Sequence, residues 1–276
     1  MMGAARRGIL AAVMAIGFAL PAAAADNAVV TDGDRVYRNY MREAATVQPG
    51  QLRLEIRGMT FEDAGNVRLN LLGFPARESV SRESGGIFDV LGSYGLGNAG
   101  EIGFLVPTYI QSQRVDGVTV NNQDVGDVQL YGKFKHSVAE HCVVAGGLEL
   151  TTPTGVERKS FGTGEYAVNP FVSSRYQKGR FALGGHVGYQ IYAGDVNDVA
   201  NYSIEAIVRG SESYAIRAEL SGRWFEMEGT RFHDVVVMPG IDYNLTSNFV
   251  LRPTGLANIT DEALDWGLGV GVAYTF

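Results

Sequence analysis

The sequence is poor in cysteine, in charged residues and, beyond its first 25 residues, in long hydrophobic runs. A single cysteine, Cys142, in 276 residues excludes an intrachain disulfide framework and any cysteine-rich zinc or iron–sulfur site. Charged residues make up 19% of the chain, below the roughly 25% of ordinary soluble domains. The formal charge of −7 argues against a nucleic-acid partner, because non-specific nucleic-acid binding needs a basic face.

Histidine is also scarce, which bears on catalysis and metal binding. None of the four histidines has a nucleophile-elbow context, a spacing to serine that suits a general base, or acidic neighbours at metal-ligand spacing. They are His136, His141, His186 and His233. We therefore expect no enzyme activity, no metal and no cofactor, and Cys142 is expected to be a small packing residue.

Residues 1–25 have the pattern of a cleaved secretory signal peptide. Arg6 and Arg7 precede an apolar run over 8–20, and Pro21 with the alanines of 22–25 forms a small-residue cleavage zone. The apolar run of 13 residues is too short to cross about 30 Å of hydrocarbon as a helix. The sequence thus predicts export, with an uncleaved N-terminal anchor as the alternative.

Glycine and aromatic residues are abundant, and the aromatic residues alternate with small ones at the C-terminus. The last segment alternates large apolar residues with glycine, alanine and threonine, so one face is bulky and the other small. The large residues are Trp266, Leu268, Val270, Val272, Tyr274 and Phe276. A soluble sandwich would place polar residues opposite its core face. A small face and a terminal Phe276 are similar to the closing strand of bacterial outer-membrane β-barrels.

The same period-two pattern recurs upstream and gives twelve strands. Five short turns are expected at 98–101, 137–140, 177–180, 210–213 and 245–248. Six longer polar loops are expected at 62–85, 113–126, 152–164, 193–201, 226–231 and 256–264. Ten or fourteen strands are the alternatives, since 62–85 could contain two more. Short periplasmic turns, long outer loops and an even strand number are typical of bacterial barrels.

These patterns predict an all-β protein: an antiparallel up-and-down transmembrane β-barrel over residues 50–276, in the bacterial outer membrane. Both chain ends would lie on the periplasmic side, where aromatic residues flank the short turns as an interfacial girdle. They are Tyr176, Phe181, Tyr214, Tyr243, Phe249 and Phe276. Residues 26–49 do not alternate and are expected to form a periplasmic leader or a small plug. The expected partners are outer-membrane lipid, the barrel-assembly machinery acting on the C-terminal strand, and a small solute.

If the apolar faces contact lipid, the opposite faces line the lumen with charges of both signs. The candidate lumen and selectivity residues are Arg53, Glu55, Arg57, Lys133, Lys135, Arg175, Glu205, Arg209, Arg217, Glu219, Arg223 and Arg252. Opposed charges could pair and fill a narrow barrel, or line a wet pore and set its selectivity. Arg209, Arg217 and Arg223 could attract carboxylates, although pairing with Glu205 and Glu219 is the favoured interpretation.

The predicted function is a channel or transporter for small solutes, aromatic or otherwise apolar compounds among them. A non-conducting structural or adhesion barrel with ligand-binding outer loops is the alternative. An interfacial lipid-modifying enzyme is the third hypothesis, which the sparse histidines disfavour.

Several stretches resemble the MetA-pathway of phenol degradation family. Residues 126–135 (GDVQLYGKFK) are similar to its alternating, lysine-containing strand, and 148–155 (LELTTPTG) with 162–164 (GTG) are similar to its strand, turn and glycine-rich loop. The strand pair over 169–187 and the opening at 49–56 continue the similarity. The resemblance implies an outer-membrane barrel transporter, without catalytic residues to transfer.

Overall fold

The computed structural model describes residues 43–63, 82–115, 118–155, 162–194, 196–227, 230–260 and 266–276. The predicted signal peptide (1–25) and residues 26–42 of the predicted leader lie outside these ranges. Within the described residues, no helix is long and apolar enough to cross a membrane.

The described residues form thirteen strands, each antiparallel to its neighbours. Their bounds are β1 Leu52–Asp63, β2 Arg82–Leu96, β3 Gly100–Val115, β4 Val118–Val125, β5 Gln129–Ala139, β6 Cys142–Thr151, β7 Ala167–Lys178, β8 Phe181–Tyr192, β9 Val199–Arg209, β10 Tyr214–Met227, β11 Thr230–Asn244, β12 Phe249–Asn258 and β13 Trp266–Thr275.

The strands close into one barrel, because β13 pairs with β1 and every other strand pairs with its neighbours in the wall. β3 pairs with β5 over residues 100–105 and with β4 over residues 108–115. β4 and β5 therefore occupy a single position, and thirteen strands build a twelve-stranded wall. The predicted antiparallel up-and-down barrel of about twelve strands is confirmed. Closure pairs the backbone groups that an open sheet edge would leave unsatisfied in lipid.

The two ends of the barrel differ in their connections. Tight turns at 97–99, 140–141, 179–180, 210–213 and 245–248 lie at one end. Gly97 and Gly179 occupy the left-handed region there, with φ of 54° and 59°. The C-terminus lies at the same end, where the Phe276 N–H donates to the Leu52 carbonyl oxygen at 2.8 Å. By analogy with bacterial barrels, this is the periplasmic end.

Two of the expected outer loops are largely strand. Instead of a loop over 113–126, β3 continues to Val115 and β4 starts at Val118. Instead of a loop over 226–231, β10 ends at Met227 and β11 starts at Thr230. The polar residues of β4 show no alternation, yet their backbone groups pair with β3. Polarity patterns cannot reveal a strand whose stability comes from backbone pairing outside the apolar band.

The outward face of the wall is apolar and exposed, as on β13. There Leu268 is 62% exposed, while Gly267, Gly271 and Ala273 are buried on the inside. Among the girdle residues, Phe249 is half-buried and the others are exposed: Tyr176, Phe181, Tyr214, Tyr243 and Phe276. The interior holds small apolar clusters and many buried charges. An exposed apolar band around a polar interior is the arrangement of a barrel that lies in lipid.

Candidate functional site

The interior face of the wall contains the charged residues that alternate with exposed apolar ones. Seven of the twelve candidate lumen residues are buried: Arg53, Glu55, Lys133, Arg175, Glu205, Arg217 and Arg252. The other five are half-buried: Arg57, Lys135, Arg209, Glu219 and Arg223. Charges removed from water need partners, so their contacts determine what the lumen can do.

Five of the interior charges form a continuous ladder across β1, β12, β11 and β10. The Arg53 guanidinium donates to Glu55 at 2.9 Å, and Arg252 Nη1 lies 3.2 Å from the same carboxylate. Arg252 Nη2 lies 3.5 Å from Asp242, which also accepts from Arg217 Nε at 3.1 Å. The signs alternate along the wall, and three arginines against two carboxylates leave one net positive charge, so this side of the lumen presents no long strip of one sign.

β13 lies between β1 and β12 and has no large inward side chain in the way of this ladder. A Cβ on Gly271 would lie 3.5 Å from Glu55 Oε1 and 3.1 Å from Arg57 Cγ. The small face of β13 thus lets Arg252 reach Glu55 across an intervening strand.

The arginines of β10 pair with carboxylates of β11. Arg223 donates to Asp234 at 2.6 Å, and Arg217 pairs with Asp242 as above. Glu205 and Glu219 instead lie opposite each other in register, and Ser221 Oγ donates to Glu219 at 2.7 Å. The favoured sequence interpretation paired the lumen arginines with Glu205 and Glu219, and the structure adds Asp234 and Asp242 on β11 as partners of Arg223 and Arg217.

Residues 43–48 pass through the interior of the barrel at the periplasmic end. Ala44, Ala45, Thr46 and Val47 are buried, and the Glu43 carboxylate pairs with Arg175 on β7. The segment leads to a turn at Gly50, whose φ is 75°, and from there into β1.

Across the segment, two charges of β3 and β5 hold its backbone. Lys133 Nζ donates to the Glu43 carbonyl oxygen at 2.8 Å and lies 3.2 Å from Glu101. Glu101 in turn accepts from the Val47 N–H and from the Tyr131 hydroxyl. A Cβ on Gly95 of β2 would meet the Val47 and Gln48 carbonyl oxygens, so only glycine leaves room for the segment there. The segment is therefore fastened to β2, β3, β5 and β7.

A row of hydrogen-bonding side chains follows β7, β8 and β9. His186 Nε2 lies 2.8 Å from Asn201 Oδ1, and His186 Nδ1 lies 3.4 Å from Ser173 Oγ. Asn201 Nδ2 donates to Asn169 Oδ1 at 3.4 Å, and the Phe171 ring lies 5.4 Å from the His186 ring. The row differs from the triad of serine hydrolases, because Ser173 lies at Nδ1 rather than Nε2 and Asn201 carries an amide in place of a carboxylate. Ser173 is also only 1% exposed, so an acyl group has no access to its hydroxyl.

An apolar patch lies on the inner face of β1, β2, β11 and β12. Phe61, Val236 and Leu256 form a buried cluster, with Met59, Ile87 and Met238 packed against it. The patch extends over the glycines of β13, since a Cβ on Gly267 would lie 3.5 Å from Met59 Sδ and 3.6 Å from Leu256 Cβ. In a wall of twelve positions β8 is diametrically opposite β1, so the row of His186 and Asn201 and this patch lie on opposite sides of the barrel.

Asp127 organises the outer loop between β6 and β7. Its carboxylate accepts from the N–H groups of Gly155 and Thr163 at 2.9 and 2.8 Å, and from Thr163 Oγ1 at 3.0 Å. Farther along, Glu165 accepts from the Gly194 N–H at 2.6 Å. Three of the sequence stretches that carry the family resemblance, 126–135, 148–155 and 162–164, thus meet at one carboxylate. The residues were visible in the sequence, but their convergence was not.

A sequence model of the family described as "Putative MetA-pathway of phenol degradation" matches residues 87–276. No curated protein sequence matches the chain. Among solved structures, the COG4313 outer membrane channel from Pseudomonas putida F1 is similar at a TM-score of 0.69 and 14% identity, over 87% of this chain and 100% of that one.

Two further structures have the same kind of wall. The β-domain of the Bordetella autotransporter BrkA is similar at a TM-score of 0.56 and 10% identity, over 82% of this chain and all of that domain. The NanC porin is similar at 0.53 and 9% identity, over 80% of this chain and 98% of the porin. At such identities the likeness concerns the fold, which is that of barrels of the bacterial outer membrane.

Proposed function

The chain belongs to the MetA-pathway of phenol degradation family, and because it folds as a closed barrel of the bacterial outer membrane, we propose that it is a channel for small solutes. Such transport needs no covalent chemistry, catalytic residue or cofactor. The wall supplies the path, and the groups along the lumen decide which solutes pass.

The observation that supports this proposal best is the two-sided lumen. The patch around Phe61 offers an apolar surface through its half-buried members Met59, Ile87 and Met238, and the half-buried His186 offers a hydrogen-bonding ring on the opposite wall. A small molecule with an apolar body and one polar group could contact both walls at once. We therefore propose that aromatic or otherwise apolar compounds with a polar edge are the preferred solutes.

We further propose that residues 43–48 are a plug that narrows the channel at its periplasmic end. Arg175 pairs with the Glu43 carboxylate, and Lys133 donates to the Glu43 carbonyl oxygen. These contacts join the segment to the wall at the level where it crosses the interior. The charged residues of the lumen would then act mainly in holding this constriction. Selection by charge would be weak on the side of the ladder, where Arg252 and Arg217 pair with Glu55 and Asp242.

Single-channel conductance of the refolded mature chain in a planar bilayer tests the channel and its plug together. The intact chain should conduct weakly, and deletion of residues 26–48 should raise the conductance several-fold. Glu43→Gln should raise the frequency of openings, because Arg175 loses the opposite charge. Glu140→Gln, in an exposed periplasmic turn, is the matched control and should change nothing.

A deletion variant that folds, inserts and stays silent would contradict the channel and favour the structural or adhesion barrel. The solute preference has its own readout in vesicles: a small aromatic alcohol should enter faster than a sugar of similar size. Phe61→Ser should reduce that difference. An equal rate for both compounds would remove the proposed preference but leave the channel intact.

The barrel-assembly machinery is the proposed partner during folding. Phe276 directly follows β13, and its ring packs edge-on against Tyr274 at 4.7 Å on the outward face. An exposed aromatic terminus of this kind offers a recognition signal, and the folding of a chain without Phe276 tests it.

A further inference from the structure

A compact aromatic cluster lies on the outward face of β9, β10 and β11, away from the lumen. The Trp224 and His233 rings are stacked, 4.7 Å apart with 20° between their planes, and the Tyr202 ring lies 4.8 Å from Trp224. The Tyr202 hydroxyl lies 2.8 Å from His233 Nε2. A Cβ on Gly222 would collide with the Tyr202 ring, its Cε1 atom at 2.7 Å, so the glycine makes room for the cluster.

The cluster stands at the outer boundary of the apolar band. Tyr214 belongs to the periplasmic girdle, and Trp224 follows it by ten residues on β10. A strand that rises about 3.3 Å per residue at a tilt near 40° climbs about 25 Å over that distance, which is the height of the apolar band. Trp224 is 51% exposed at this level, and Trp266, the other tryptophan of the chain, is exposed on β13.

Polar groups border the cluster on its outer side. Arg231 precedes His233 by two residues and shares its outward face, and its side chain is 90% exposed. Its Nε lies 3.8 Å from Glu226, whose side chain is 55% exposed, so the two form a loose surface pair. Asn197 donates to the Glu226 carbonyl oxygen and adds an amide to this border.

We infer that this cluster and its border bind the phosphorylated sugar headgroup of an outer-leaflet glycolipid. The half-exposed Trp224 ring offers an aromatic surface on which the C–H face of a sugar can pack. Glu226 and Asn197 offer partners for sugar hydroxyls, and the planar Arg231 guanidinium matches a phosphate with two parallel hydrogen bonds. The aromatic girdle on the periplasmic side is built differently on the same strands: Tyr214 and Tyr243 lie 6.4 Å apart, tilted and unstacked.

The tryptophans make the site directly observable. Trp266→Phe leaves Trp224 as the single tryptophan, so fluorescence of that variant in detergent micelles reports on the cluster alone. Lipid A, a phosphorylated and acylated glucosamine disaccharide, should change its emission in a saturable manner. Phosphatidylglycerol at equal charge should not.

Arg231→Gln in the same background should weaken lipid A binding at least tenfold. Arg180→Gln, an exposed arginine of a periplasmic turn, is the matched control and should bind as before. Faster migration of unboiled samples on a denaturing gel verifies that each variant is folded. Equal responses to phosphatidylglycerol, or equal losses in the two arginine variants, would overturn the inference. Because the lumen takes no part in this readout, failure here would leave the proposed channel untouched.

Discussion

Gly147 shows how strictly single positions of the inner wall are specified. A Cβ there would lie 2.7 and 2.8 Å from two atoms of the Phe171 ring, which is itself buried against His186. Gly146, its neighbour on β6, faces outward with nothing within 4 Å of such a Cβ. Two adjacent glycines of the same strand therefore have different physical reasons to be glycine.

Gly147→Ala should lower the free energy of unfolding by about 1–3 kcal/mol, because the added methyl overpacks the wall against Phe171. Gly146→Ala should stay within about 0.5 kcal/mol of the wild type. Urea titration of the protein refolded into lipid vesicles measures both. Equal losses for the two variants would mean that the Phe171 ring moves aside freely.

The side of the wall to which each side chain points could be predicted from the sequence, whereas its ion-pair partner could not. Alternation alone assigns an inward face to Arg217 and Arg252, because a strand repeats every two residues. Which carboxylate meets each arginine depends on strand register and on the space that Gly271 leaves on β13. Asp242, which joins both arginines, was absent from the predicted lumen residues because four successive apolar residues of β11, 235–238, mask the alternation of that strand.

At the scale of elements, the cost of a charge on β13 should depend on its depth in the membrane. Val270 is exposed at the middle of the strand, and Val272 lies two residues nearer the periplasmic end. Val270→Arg should cost about 2–4 kcal/mol of unfolding free energy near the bilayer centre, and Val272→Arg should cost less. The same titration in vesicles measures the difference, and a larger loss at Val272 would place the bilayer centre closer to the turns.

Elements without alternation escaped the sequence analysis. β4 was expected to be a loop because its polar residues give no period, yet it pairs along β3. Residues 43–48 were left open between leader and plug, since their contacts are with Arg175, Lys133 and Glu101, far away in the chain. Local patterns report strands that have one face in lipid, and they are silent on segments held by distant side chains.

For the molecule as a whole, the closed wall could be predicted because every strand that crosses the membrane repeats the same alternation of apolar and polar residues. Each crossing strand must show one apolar face, and the short turns must connect neighbours, so a wall of about twelve strands and the side of the C-terminus follow from the pattern. The order of the strands in the wall then follows their order in the sequence, apart from the position that β4 and β5 share.

Removal of Phe276 should separate assembly in cells from folding in vitro. The variant without Phe276 should yield less fast-migrating, unboiled protein from outer membranes, because the terminal signal on β13 is lost. The same variant refolded in detergent should match the wild type, since the Phe276 ring is exposed and adds little to the wall. Removal of Ser247 from an exposed periplasmic turn serves as a length-matched control. Undiminished assembly in cells would contradict recognition through Phe276.

The pairing of β1 with β13 constrains the order of events during folding of this protein. β1 can find its final partner only when β13 is available. The hydrogen bond from the Phe276 N–H to the Leu52 carbonyl oxygen belongs to this last pairing. Until β1 and β13 pair, both edges of the sheet are open, and each can pair with a strand of another chain. The risk of aggregation is greatest just before closure, when the sheet is nearly complete and its two edges are still unpaired. Rapid pairing of β1 with β13 therefore protects the chain from aggregation in a way that the stability of the closed barrel does not.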